Sequence, residues 1–155
     1  MGVQGVAMDS SDSTPVIILK EIGGRKSLPV MVGPAEASVI IMELEGLKPS
    51  RPMTHDLILK LLSTHGFKIT EANLFGSSGD SYLARIRYRH GPMRYEMEVR
   101  PSDCIALAVR SGAPLWVEDS LVRSAPALNY LGLQEADDKR EIYYVEPEWR
   151  PRQSV

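Results

Sequence analysis

Apolar and polar positions change period along the chain, and each change marks an element. In the first 32 residues, apolar runs at 3–8, 16–22 and 28–32 are separated by the turn-forming stretches DSSDST and GGRKS. Short runs bounded in this way predict three strands in an antiparallel meander. Gly33-Pro34 then opens a helix over 34–45, since proline suits the first helical position and Gly46 supplies a stop. Its residues Val39, Ile40, Met42 and Leu44 cover more than one face, so most of this helix should be buried. A second helix is expected over 55–65, with Thr54 as N-cap, Asp56 in the first turn and Gly66 after the end. Leu57, Ile58, Leu61 and Leu62 form its stripe, which should face the core.

Beyond Gly66 the period becomes that of strands, at 67–75, 81–90 and 94–99, the last two joined across His90-Gly91-Pro92-Met93 as a hairpin. A third helix is expected over 103–111, with Ser102 as N-cap and Gly112 as stop, then a short strand at 114–118 and a short helix at 120–125. The fold class is therefore α+β: a single domain with a mostly antiparallel sheet and three main helices packed on it. Residues 1–125 read as that domain. Residues 126–155, with the charged stretch QEADDKRE, read as a C-terminal extension that is partly mobile.

Composition narrows the function classes more than it selects one. The 155 residues suit one domain, and a net charge of −2 argues against a protein held on nucleic acid by overall charge. Any such contact must be local. Cys104 is the chain's one cysteine and lies in an apolar run, so it reads as a small core residue, and a reducing cytoplasm is the expected compartment. No segment has the roughly 20 apolar residues of a membrane span. Phosphate loops, CxxC, HExxH and GxSxG are absent from the sequence.

Candidate chemistry lies in two echoing segments, Arg51-Pro52-Met53-Thr54-His55-Asp56 and Arg100-Pro101-Ser102-Asp103. In each, an arginine held extended before proline precedes a hydroxyl residue, an aspartate and an apolar helix. Capping and the helix dipole account for the hydroxyl and the aspartate. Capping does not call for the arginines, so Arg51 and Arg100 are the stronger functional candidates. Convergence of Arg51, His55, Asp56, Arg100 and Asp103 would make an anion-attracting pocket from two helix N-termini. Asp56, Glu98 and Asp103 are carboxylates suited to a divalent cation, Mg²⁺ or Mn²⁺, although their spacing has no tight metal pattern. In the strand at 81–90, Arg85, Arg87 and Arg89 share one face, and with Arg94 they could follow a phosphate backbone. A turn centred on Gly91-Pro92 would instead set Arg87 opposite Glu96 and Arg85 opposite Glu98, leaving Arg89 and Arg94 as the free charge.

Taken together, Leu28-Pro29-Val30-Met31-Val32-Gly33, Glu36-Ala37, the run from Arg51 to Leu57, and Arg100-Pro101-Ser102-Asp103 with Ile105-Ala106-Leu107-Ala108 resemble the bifunctional nuclease domain family. The resemblance covers about residues 3–124. It implies a compact, self-associating α+β domain, most simply a two-fold dimer, and nuclease activity on RNA and DNA of the kind attributed to some plant members. Glu98 stands where the family usually has aspartate, and the extra C-terminal motif of plant and some bacterial members is not recognised in 126–155. Two functional expectations follow. One is a cation-assisted phosphodiesterase in which the arginines bind phosphate and His55 moves a proton. The other is a non-catalytic regulatory or ligand-binding module in which arginines and carboxylates form a structural network.

Overall fold

A computed structural model describes residues 1–8, 13–24 and 26–124. Strands β1 (Gly2–Met8), β2 (Pro15–Lys20) and β3 (Ser27–Met31) pair antiparallel in the order β1-β2-β3, the meander that the turn-separated apolar runs predict. Helices α1 (Pro34–Leu44) and α2 (Thr54–Thr64) follow, then β4 (Phe67–Ser78), β5 (Ser81–His90), β6 (Met93–Val99), α3 (Pro101–Ser111), β7 (Leu115–Val117) and α4 (Asp119–Ser124). The second sheet has the order β6-β5-β4-β7, antiparallel except for the β4–β7 pair. The fold is α+β and mostly antiparallel as expected, with its strands divided between two sheets. The tail expected to be mobile lies outside the described residues. No helix among the described residues is long and apolar enough to cross a membrane.

One core joins the two sheets. Ile17, Leu19 and Leu28 from the first sheet, Ile40 from α1, Leu74 from β4 and Ile105 from α3 are all fully buried in it. Helix α3 is its centre, with Cys104 through Ala108 buried without interruption. Small side chains at Cys104, Ala106 and Ala108 allow that close approach, and the Cys104 thiol donates to the backbone carbonyls of Arg85 (3.4 Å) and Asn73 (3.8 Å). Gly112 ends α3 in the left-handed conformation (φ 68°), which favours glycine because it has no Cβ.

Helix α2 departs from its expected burial. Leu57 and Leu61 are each 53% exposed and Ile58 38%, while Leu59 and Leu62 make the contact with the core. The stripe is displaced by part of a turn because α2 touches β4 and α3 along one flank instead of lying flat on a sheet. The helix starts also differ from expectation. The N-caps are Met53 and Arg100, not Thr54 and Ser102. Pro101 takes the first helical position of α3, where its missing N–H costs nothing, and so moves the cap back to Arg100. In α2 the carboxylate of Asp56 accepts the Met53 N–H at 2.9 Å, so no hydroxyl is needed at the cap.

Candidate functional site: the paired N-termini of α2 and α3

These helix starts set different registers for the two echoing segments. Pro101 is the first residue of α3, whereas Pro52 precedes the cap of α2. Asp56 and Asp103 both occupy the third helical position, but Arg100 is itself the cap while Arg51 lies two residues before its cap, Met53. Arg100 can therefore fold back onto Asp103. Arg51 is exposed and has no hydrogen bond or ion pair among the described residues.

The structure brings His55, Arg100 and Asp103 together and adds Glu36 to them. Arg100 makes a two-point contact with Asp103, Nε to Oδ2 at 2.8 Å and a terminal nitrogen to Oδ1 at 3.1 Å, and its other terminal nitrogen donates to Glu36 at 3.1 Å. His55 Nε2 lies 3.1 Å from Asp103 Oδ1. The Arg100 guanidinium is the main cause holding the Asp103 carboxyl below its usual range, with the His55 contact adding to it. Asp103 is thus an acceptor near neutral pH, and in the neutral form of the imidazole Nε2 carries the proton between them and Nδ1 the lone pair. His55 is 12% exposed and Arg100 66%. With three of its five N–H donors used, Arg100 keeps two for a ligand. These residues line a cleft of about 460 Å³ whose apolar wall includes Ile58, Ile86, Met97 and Leu107.

Glu36 carried no expected role, although it lies in one of the runs that carry the resemblance. It sits in the first turn of α1, against Gly33, and a Cβ at that glycine would collide with its carboxylate.

Asp56 turns away from its neighbour His55. Its carboxylate binds Arg110 of α3, whose side chain is 5% exposed and also meets Glu43 at 3.6 Å and the Val39 carbonyl at 3.3 Å. Arg110 was missed by sequence reasoning. The signal for it was a lone cation directly after the apolar run Ile105 to Val109, seven residues after Asp103 and so on the same side of α3. Asp56, Glu98 and Asp103 do not converge: Asp56 is committed to Arg110, Asp103 to Arg100, and Glu98 is exposed on β6. No group of three His, Cys, Asp or Glu among the described residues is arranged to hold a metal ion. The expected ligand set therefore does not fit a cation.

On the hairpin, Arg87 faces Glu96 and Arg85 faces Glu98, the register expected from a turn at Gly91-Pro92. Arg87 binds Glu96 at 2.7 Å and Glu71 at 2.5 Å, and Arg85 reaches diagonally to Glu96 at 3.1 Å. Arg85 also stacks over Phe75, 4.5 Å from the ring centroid. Arg87 is the main cause holding Glu96 below the usual carboxylate range. Arg85 and Arg87 are thereby neutralised. Arg89 and Arg94 are exposed and have no ion-pair partner among the described residues.

Comparison with known proteins adds context to this geometry. The family model described as bifunctional nuclease domain matches residues 17–129. Two uncharacterized proteins from strains of Mycobacterium tuberculosis are 32% identical over 126 residues, covering 81% of this chain and 75% of theirs. A protein named bifunctional nuclease 2 from rice, Oryza sativa subsp. japonica, is 23% identical over 125 residues, 78% of this chain and 38% of its own length.

Proposed function

Because the chain belongs to the bifunctional nuclease domain family, we propose that it hydrolyses phosphodiester bonds in RNA and DNA at the cleft between the N-termini of α2 and α3. The observation that carries this reading is the His55–Asp103–Arg100 relay. Asp103, kept ionised by Arg100, orients the imidazole and leaves Nδ1 as the proton acceptor toward an attacking water or hydroxyl. The remaining Arg100 donors serve the phosphate oxygens. The rice relative's name supports the substrate class. Arg51 and Asp56 have different parts in this scheme. Arg51 is a surface cation, unpaired among the described residues, that serves the substrate, and Asp56 fixes α2 to α3 through Arg110.

Self-association belongs to the same proposal, most simply as a two-fold dimer covering Leu57 and Leu61. Fluorescent RNA and DNA oligonucleotides incubated with purified protein test the catalytic reading. His55→Ala should lower cleavage by about 10²–10⁴-fold, the usual contribution of a proton-transfer group. Equal cleavage by the variant would reject His55 as that group.

The second reading, a non-catalytic binding module, is favoured by one observation: Arg100 is already held by two carboxylates. Tight oligonucleotide binding with no cleavage under any cation condition would support it.

A further inference from the structure

Across the outer face of the second sheet, the side chains fall into rows set by the strand register. Asn73, Arg85 and Glu98 form one row, and Glu71, Arg87 and Glu96 form the next. Acids balance the arginines in both. The third row, nearest the hairpin turn, differs: Lys68 of β4 lies opposite Arg89 of β5, which lies opposite Arg94 of β6. All three are exposed, and none has an ion-pair partner among the described residues. Like charges directly opposite one another destabilise a sheet. A protein of net charge −2 thus carries a cationic row with no acid paired to it among the described residues, at a local cost in stability.

Lys68 also lines a second cleft, of about 650 Å³, between α2, the segment after α1 and the start of β4. Its rim carries Lys48 and Lys60, both exposed and without an ion-pair partner among the described residues. The acids in it, Glu43 and Asp56, are taken by Arg110. Its wall is apolar, formed by Leu59, Leu62 and Phe67, and the Phe67 ring belongs to an aromatic cluster with Tyr88, Tyr95 and His90. Cationic rims around an apolar, partly aromatic floor fit an anionic polymer with planar apolar side groups. The volume lies in the range of small-ligand sites. Successive residues at the start of α2 line the two clefts, His55 the smaller and Asp56 the larger, so they flank one helix, about 10 Å across.

We propose that the larger cleft and the Lys68–Arg89–Arg94 row form one binding track for single-stranded nucleic acid, distinct from the His55–Asp103 cleft. Bases enter the apolar floor beside Phe67, while phosphates lie on Lys48, Lys60 and Lys68 and then on Arg89 and Arg94. A duplex hides its base faces and can use only the charged row. The choice of polymer rests on the nuclease reading, but the track is tested by binding, which does not require cleavage.

The experiment is fluorescence anisotropy with a labelled 12-nucleotide single-stranded RNA, its DNA counterpart and the matching duplexes, over a range of salt. The variants are Lys68→Ala/Arg89→Ala/Arg94→Ala and Lys48→Ala/Lys60→Ala, each checked by circular dichroism. The triple variant should bind at least about 10-fold more weakly and lose roughly 2 from its log–log salt slope, the value for three phosphate contacts on a single strand. The double variant should weaken single-strand binding more than duplex binding. Unchanged affinity and slope in the triple variant would overturn the track, as would duplexes bound as tightly as single strands. Binding that follows these expectations without any cleavage would establish the track and reject the nuclease reading. Cleavage by a triple variant of unaltered affinity would do the reverse.

Discussion

His55 and Asp103, separated by 48 residues, meet with Nε2 3.1 Å from Oδ1 and so tie the first turn of α2 to the first turn of α3. Because Arg100 chiefly depresses the Asp103 carboxyl, this contact links stability to pH with a definite sign. A carboxylate whose folded-state pKa lies below the unfolded value, about 3.9 for aspartate, contributes stability above that value and loses it as pH falls through the folded one. Urea unfolding of the parent and Asp103→Ala should therefore differ most above about pH 5 and converge as pH drops toward 2. A gap that stays constant with pH would contradict the assignment.

Arg110 is the buried counterpart of that surface relay. Truncating it to alanine leaves Asp56 and Glu43 without their cation and opens a void beside Val39. Breaking a buried pair typically costs 3–5 kcal/mol, but the two acids here are about a third exposed, so about 2–4 kcal/mol is expected for Arg110→Ala. Thermal melting should show a drop of several degrees. A variant as stable as the parent would mean that the network is held by solvent and not by burial.

Burial pushes the Cys104 thiol up to about 11. At pH 7 only about one molecule in ten thousand would carry the thiolate, so iodoacetamide should leave the folded protein unmodified and label it once denatured. A raised folded value also means that this contribution to stability is full below the unfolded thiol pKa and is lost as pH rises toward 11. Rapid alkylation of the native protein at neutral pH would contradict the buried placement.

The exposed Leu57 and Leu61 lie four residues apart on α2 and carry the assembly expectation. Sedimentation at micromolar concentration should give a mass above the 17.2 kDa of one chain, and Leu57→Glu/Leu61→Glu should return it to one chain without loss of helix. A parent protein that sediments as a single chain would reject the dimer.

Local patterns carried far in this sequence, and long-range choices did not. Turn residues at Gly91-Pro92 set the pairing of Arg87 with Glu96 in advance, because a two-residue loop leaves one register. The apolar run around Cys104 likewise announced a buried helix. The apolar stripe of α2 was visible too, but periodicity cannot tell a core from an open face, and Leu57 and Leu61 lie on the open one. Spacing also could not show that neighbouring His55 and Asp56 would serve separate clusters. That division depends on α3, which presents Asp103 to one and Arg110, two turns later, to the other. The echo of Arg51-Pro52 in Arg100-Pro101 misled for a local reason: one proline begins its helix and the other precedes the cap.

The most direct test of the nuclease account is the rate at which purified protein cleaves single-stranded RNA and DNA, measured beside Asp103→Ala, with Mg²⁺, with Mn²⁺ and with chelator. Cleavage by the parent under at least one of these conditions, reduced about 10²-fold or more in Asp103→Ala, is the predicted result. No cleavage by the parent under any condition, or equal cleavage by both proteins, would contradict it.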